Sequence, residues 1–255
     1  MRVSFARMVV AAPLWIAASL VLGIDRHGLT PRALTILGLS TLCSYAFADS
    51  VFFAAASSIG VSSAMAIAST YPLWAALEGT LVEGEAFGPA RAAGTLLCVL
   101  GVATIIKLGG GRDSGTPRAR GIVLAFAASL MWAANTVAIK IGATGLDLTF
   151  VAAYRYTFAL CVLGVLVLLG RAPGPSRPAR GWLPMLPAIL TDCVLGTLCF
   201  LYALTHTDLA VGATLTSLAP LVSLPIAVWL GAEKITPAKL VAVITTVAGA
   251  VLVSR

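Results

Sequence analysis

The chain has 255 residues, 59% of them hydrophobic and only 11% charged, with 17 Lys and Arg against 10 Asp and Glu. A soluble domain is nearer 45–50% apolar and about 25% charged, so a mean hydropathy of +0.99 excludes an ordinary water-soluble fold and makes lipid the main solvent. The net charge of +7 then points to basic loops at a membrane face rather than to nucleic acid.

Crossing a bilayer core takes roughly 20 apolar helical residues, and lipid leaves no other way to satisfy an open backbone. Gly, Pro and charge break the apolar pattern into nine such segments, at 3–23, 33–55, 61–82, 89–108, 120–142, 149–170, 182–204, 209–231 and 237–254. The predicted fold class is therefore all-α, a polytopic membrane helix bundle with nine transmembrane helices. Arg2 and Arg7 ahead of the first apolar run also fit a cleaved signal peptide. The longest polar interruption is GGGRDSGTPRARG, from Gly109 to Gly121.

Shifting the chain by 148 residues lays it on itself without a gap. Arg7 falls on Arg155, Phe52 on Phe200, Ala55 on Ala203, Pro72 on Pro220, Glu85 on Glu233, Pro89 on Pro237 and Gly101 on Gly249. We read this as an internal duplication: a first copy over 1–108, a linker over 109–119 and a second copy over 120–255. The second copy has five predicted helices and the first has four, because 120–142 shifts back to before Met1. The plan expected is five plus five with the first helix lacking; a misassigned gene start, a fragment and a true nine-helix protein all fit. Glu85 and Glu233 close helices at the water interface, and Pro89 and Pro237 suit the first turn of the next ones.

The second copy reads SLMWAANTVAIK, then FVAAYRYTFAL, then LTHTDLAVGATLTSLAPLVSLPIAVWLGAEKITPAKLVAVITTVAGAVL. A Trp-Ala helix ending in Ile-Lys (Trp132, Lys140) precedes an Arg near the start of the next helix (Arg155). A helix with a central Pro (Pro220) follows, closed by Gly231-x-Glu233, and a small-residue helix ends the copy. In order and spacing this resembles the EamA-type repeat of the drug/metabolite transporter superfamily. The resemblance implies two inverted five-helix halves, a substrate cavity near the midplane and secondary transport by alternating access. An odd number of helices per copy also forces the second copy to enter from the opposite side.

Ionisable groups inside a membrane are costly and ask for a reason. Asp192 near the centre of 182–204, Asp49 with Tyr45 one turn before it, Glu78 in 61–82, and Asn135 with Trp132 in 120–142 are the candidates for a polar pathway; Tyr202 is a candidate aromatic wall. Each could instead be satisfied by a neighbouring helix. Lys140 and Arg155 bracket a short turn, where their charges would snorkel to the headgroups. Five cysteines in apolar runs and two unclustered histidines suggest neither disulfides nor a metal site. The chain has no HExxH, GxSxG, Walker or GxGxxG pattern, so neither an enzyme nor a cofactor is expected.

Alternating nine helices puts 11 basic residues on the side of the 109–121 segment and 6 on the other. The charge rule would place that segment in the cytoplasm, whereas the resemblance implies both termini inside. The expected function is export of small polar metabolites such as amino acids across a bacterial inner membrane, with protons as the candidate coupling ion. A multidrug exporter and a truncated, non-transporting membrane protein are the alternatives. The oligomeric state is left open.

Overall fold

A computed structural model describes residues 2–22, 28–68, 70–71, 73–74, 77–78, 88–108, 118–170, 185–206 and 236–253. The segment 209–231, most of the 109–119 linker, and Pro72, Glu85, Pro220 and Glu233 lie outside them. The described elements are α1 (Arg2–Leu22), α2 (Pro31–Ile59), α3 (Val61–Ala68), α4 (Pro89–Leu108), α5 (Arg118–Gly142), α6 (Leu148–Leu168), α7 (Leu186–His206) and α8 (Pro237–Val253). Five of these helices, α1, α2, α5, α6 and α7, are long and apolar enough to cross a membrane. Leu20, Val21 and Leu168 are 70%, 84% and 87% exposed, which suits a lipid solvent and would be a liability in water.

The helix ends follow local chemistry. Thr30 caps α2, its hydroxyl accepting from the Ala33 N–H at 3.1 Å, with Pro31 in the first turn. Asp147 caps α6, one carboxylate oxygen accepting from the Thr149 and Phe150 N–H groups at 2.8 and 3.3 Å. Such caps satisfy amides that the first turn leaves open. A single residue, Gly60, joins α2 to α3 at φ +86°, a left-handed conformation that glycine takes without a Cβ clash.

Two compact units emerge from the packing. The first comprises Met1–Asp49 and Ala138–His206, and its main contact is α1 along α6. Buried Ser4, Met8, Ala11 and Trp15 form one stripe on α1, at the three- and four-residue spacing of a helix face. Buried Ala152, Tyr156, Ala159 and Leu163 form the stripe on α6, and these are the positions onto which the self-alignment of the sequence lays those four.

The second unit comprises Ser50–Val137 and Thr207–Arg255. Phe52, Ala55, Ile59, Ala64, Ile67, Ala68, Ala125 and Ala128 make its apolar core, with Trp132 packed against it. Thr70 and Ser129 share a buried hydroxyl contact of 3.1 Å. Elsewhere in this unit α4 lies against α8, and there the partners exchange. Gly101 faces Thr246, Gly249 faces Cys98, and Cys98 donates its thiol hydrogen to the Thr246 carbonyl at 3.2 Å. A Cβ on Gly101 would stand 2.6 Å from the Thr246 nitrogen, and one on Gly249 would stand 2.7 Å from the Gly94 oxygen. Small residues permit this approach, on which helix association in lipid depends.

Both α2 and α7 contain a wide π-type turn, at Leu42–Ala48 and Thr191–Gly196. The Asp49 N–H bonds the Ser44 carbonyl in the first, and the Thr197 N–H bonds the Asp192 carbonyl in the second. Those two bonds again join positions that the self-alignment pairs, 44 with 192 and 49 with 197. A π-turn is rare and tends to sit at functional positions.

Replacing Gly101 with Ala is expected to cost roughly 1–3 kcal/mol, because the added carbon meets backbone that cannot yield. Gly88→Ala, where a Cβ would meet nothing within 4 Å, is the control and should change little. Thermal melts of the detergent-solubilised protein test the pair.

Candidate functional site

The polar centre of the first unit is Arg7. Its place three residues after Ser4 and four before Ala11 sets it within the buried stripe of α1. Its guanidinium bridges two carboxylates: Nη1 lies 2.9 Å from Asp49 Oδ2, and Nη2 lies 2.5 Å from Asp192 Oδ2. The Ser4 hydroxyl also donates to Asp49 Oδ2, at 3.4 Å. The fork of a guanidinium can hold two anions at fixed separation, which an ammonium cannot.

The two acids differ in surroundings. The Asp49 side chain is 10% exposed, and it follows the π-turn of α2. The Asp192 side chain is 60% exposed and lies within the π-turn of α7. The next residue, Cys193, donates its thiol hydrogen to Asp192 Oδ2 at 3.6 Å, and its carbonyl accepts from the Trp15 indole N–H at 2.9 Å.

A second polar group lies alongside in the same unit. Arg155 is 4% exposed; it donates to the Ser40 hydroxyl at 2.5 Å and stands over the Tyr45 ring at 5.5 Å. Tyr45 also packs on Tyr156, with ring centroids 5.4 Å apart, and the Tyr156 hydroxyl meets the Thr197 hydroxyl at 2.6 Å. Ser40 and Thr41 donate back to the Leu37 carbonyl just before the π-turn of α2. Such back-bonding loosens the regular helical ladder.

These contacts bear on two sequence expectations. Arg155 does not snorkel to the headgroups: it is buried among Ser40 and Tyr45. Arg7, expected as a repeat mark, is also the group that joins the two predicted acids. Each face of the charge count thereby loses one residue, so the imbalance between the faces stands.

The remaining candidates divide between the units. Tyr202 is 56% exposed and stacks on His206 at 4.1 Å; ten residues of helix, about 15 Å of rise, separate it from Asp192. Trp132 packs on Phe52 at 5.3 Å and beside Tyr71, Trp74 and Ala133 in the second unit. Asn135 is buried there, and Lys140 lies in the last turn of α5, where a cation complements the helix dipole. Glu78 Oε2 and Trp74 Nε1 are buried without a hydrogen-bond partner among the described residues. Those residues include no group of three or more His, Cys, Asp or Glu able to hold a metal.

Long apolar helices with lipid-suited surfaces, and an arginine on one of them that bridges two carboxylates, define a polytopic α-helical integral membrane protein. The EamA-like transporter family model matches residues 1–107 and 119–255. The chain belongs to that family, a family of membrane transporters of the drug/metabolite type. A protein of known crystal structure shares the fold, with a TM-score of 0.70 and 22% identity, over 98% of this chain and 85% of the other. A search of curated proteins gives no match.

Arg7→Met should lower thermal stability, because it leaves Asp49 buried without its cation; breaking a buried pair on one side costs about 3–5 kcal/mol. Adding Asp49→Asn to Arg7→Met should recover most of that loss. Melting temperatures of the single and double variants, measured at one detergent concentration, provide the check.

Proposed function

We propose that the protein is a secondary-active transporter that exports small polar metabolites, amino acids among them, across a bacterial inner membrane. It works by alternating access between two inverted halves, with proton exchange at Asp49 and Asp192. The observation that carries this reading is the Arg7 bridge, whose two acids lie just after one π-turn and within the other, the turns themselves being at matching places in the self-aligned sequence. An internal duplication accounts for that match. It also accounts for the paired buried stripes of α1 and α6 and for the exchanged contacts of Gly101–Thr246 and Gly249–Cys98. Inverted repeats with a polar site at broken or irregular helices are a recurring transporter construction.

The chemistry follows from charge. Two carboxylates share one guanidinium, so the fully ionised cluster carries one negative charge in excess. A proton or a substrate ammonium group can balance it, and Asp192 is the more open acceptor. Binding either one at Asp192 weakens its hold on Arg7, which gives two arrangements of the same helices with different partners. A ligand that binds those arrangements unequally shifts the balance between them.

A strain overexpressing the chain should tolerate toxic amino acids or their analogues better than its parent. Asp49→Asn with Asp192→Asn should reduce export by at least about tenfold, equivalent to roughly 1.4 kcal/mol of barrier, and flatten its pH dependence. Export that continues unchanged in the double variant would remove the proton-coupling reading. Protection against cationic dyes alone would replace metabolites with drugs as the substrate class.

A further inference from the structure

We propose that Trp15 is a positioning residue for Asp192: its indole N–H fixes the π-turn of α7 and so keeps that carboxylate on Arg7. The inference rests on the transport reading above and deepens it by naming what holds the more open of the two acids. Trp15 is 4% exposed, and its Nε1 donates at 2.9 Å to the carbonyl of Cys193, the residue after Asp192. Cys193 is fully buried, so its carbonyl can be satisfied only from within the protein, and a buried backbone group left unpaired is costly.

The register of this turn decides where Asp192 points. Resolving a π-turn into regular α-helix removes one residue's worth of bulge and rotates one side of the helix against the other by about 100°, the angle per residue at 3.6 residues per turn. Asp192 lies inside the turn, with its own carbonyl accepting from the Thr197 N–H. A change of register would therefore carry its carboxylate away from Arg7. One helix, α1, holds α7 at two points: Arg7 takes the Asp192 side chain and Trp15 takes the backbone beside it.

General packing does not require an indole here. The counterpart of Trp15 in the self-aligned sequence is Leu163, which is as deeply buried on α6 but cannot donate a hydrogen bond. Beside the π-turn of α2, hydrogen bonding instead comes from the Ser40 and Thr41 hydroxyls on the Leu37 carbonyl and from Arg155 on Ser40. Asp49 lies after its turn and is further held by Ser4. The acid that needs a backbone anchor is the one inside the turn.

The test uses the full chain in phosphatidylethanolamine–phosphatidylglycerol vesicles, with dicyclohexylcarbodiimide as the probe and peptide mapping by mass spectrometry as the readout. This reagent attacks protonated carboxyl groups in membranes, and a carboxylate held in an ion pair reacts slowly. Two changes remove the N–H: Trp15→Phe, and incorporation at position 15 of 3-benzothienylalanine, which keeps the shape of Trp. Labelling of Asp192 is expected to rise roughly two- to tenfold, what one net hydrogen bond is worth, while labelling of Asp49 stays as in the unsubstituted protein. In export assays Trp15→Phe should lower activity by itself but add nothing to Asp192→Asn. Unchanged labelling of Asp192 in the benzothienyl protein overturns the proposal, and so does an equal rise at both acids, which marks general loosening. If Asp192→Asn leaves export intact while the labelling result holds, Trp15 still positions Asp192 and it is the transport reading that fails.

Discussion

A guanidinium that faces the interior of a lipid-solvated bundle must find polar partners there, and at Arg7 this requirement organises the first unit. Arg7 cannot shed its charge, so α1 can pack along α6 only if other helices deliver carboxylates to it. Two do, α2 through Asp49 and α7 through Asp192. Apolar contact holds helices in lipid with little preference for register. Charge supplies that preference, because a shift of one residue in either partner helix separates an ion pair. Asp49, enclosed and with Ser4 at 3.4 Å, is the buried arm of the bridge, and Asp192 is the open one.

Positions that the self-alignment pairs share backbone features while their side chains differ. Positions 44 and 192 are equivalent in the self-aligned sequence, as are 49 and 197, yet the acid stands after the π-turn in one case and inside it in the other. Arg7 has two carboxylates, whereas its counterpart Arg155 has the Ser40 hydroxyl and the Tyr45 ring. Both cations stand at self-aligned positions on α1 and α6, and the partners described for them differ. The described contacts are a two-carboxylate bridge at Arg7 and, among the contacts of Arg155, a hydroxyl and an aromatic face.

Much of this was legible in the sequence, and the failures have physical causes. Helix α4 begins at Pro89 and α8 at Pro237, as expected from proline in a first turn. The stripe Ser4, Met8, Ala11, Trp15 is plain once the helix is known. Asp49 and Asp192 were recognisable because acids are rare in apolar runs. That they share Arg7 was not, because the contacts span 42 and 185 residues and periodicity carries no information at that range. A spacing of four puts Tyr45 near the face of Asp49, but its contacts with Arg155 and Tyr156 are long-range and carry no signal in the spacing. Trp15 gave no signal at all, since an indole in an apolar helix is usually packing and its acceptor is a backbone carbonyl.

Each unit is built around a pair of helices that the self-alignment lays on one another, α1 with α6 in the first and α4 with α8 in the second. Contacts between equivalent elements of two-fold-related copies come in exchanged pairs. The Gly101–Thr246 and Gly249–Cys98 contacts have that form. The two pairs nevertheless use opposite physics. Helices α4 and α8 meet where glycine lets backbone approach backbone, a contact with no slack and no charge to exchange. The α1 and α6 pair carries long polar side chains, Arg7 and Arg155, whose partners lie on other helices. A contact of the first kind suits a fixed joint, because any sliding drives side chains into backbone. A contact of the second kind tolerates rearrangement at the cost of trading one ion pair or hydrogen bond for another. Any exchange of polar partners among these side chains would fall to the helix pair that carries the arginines.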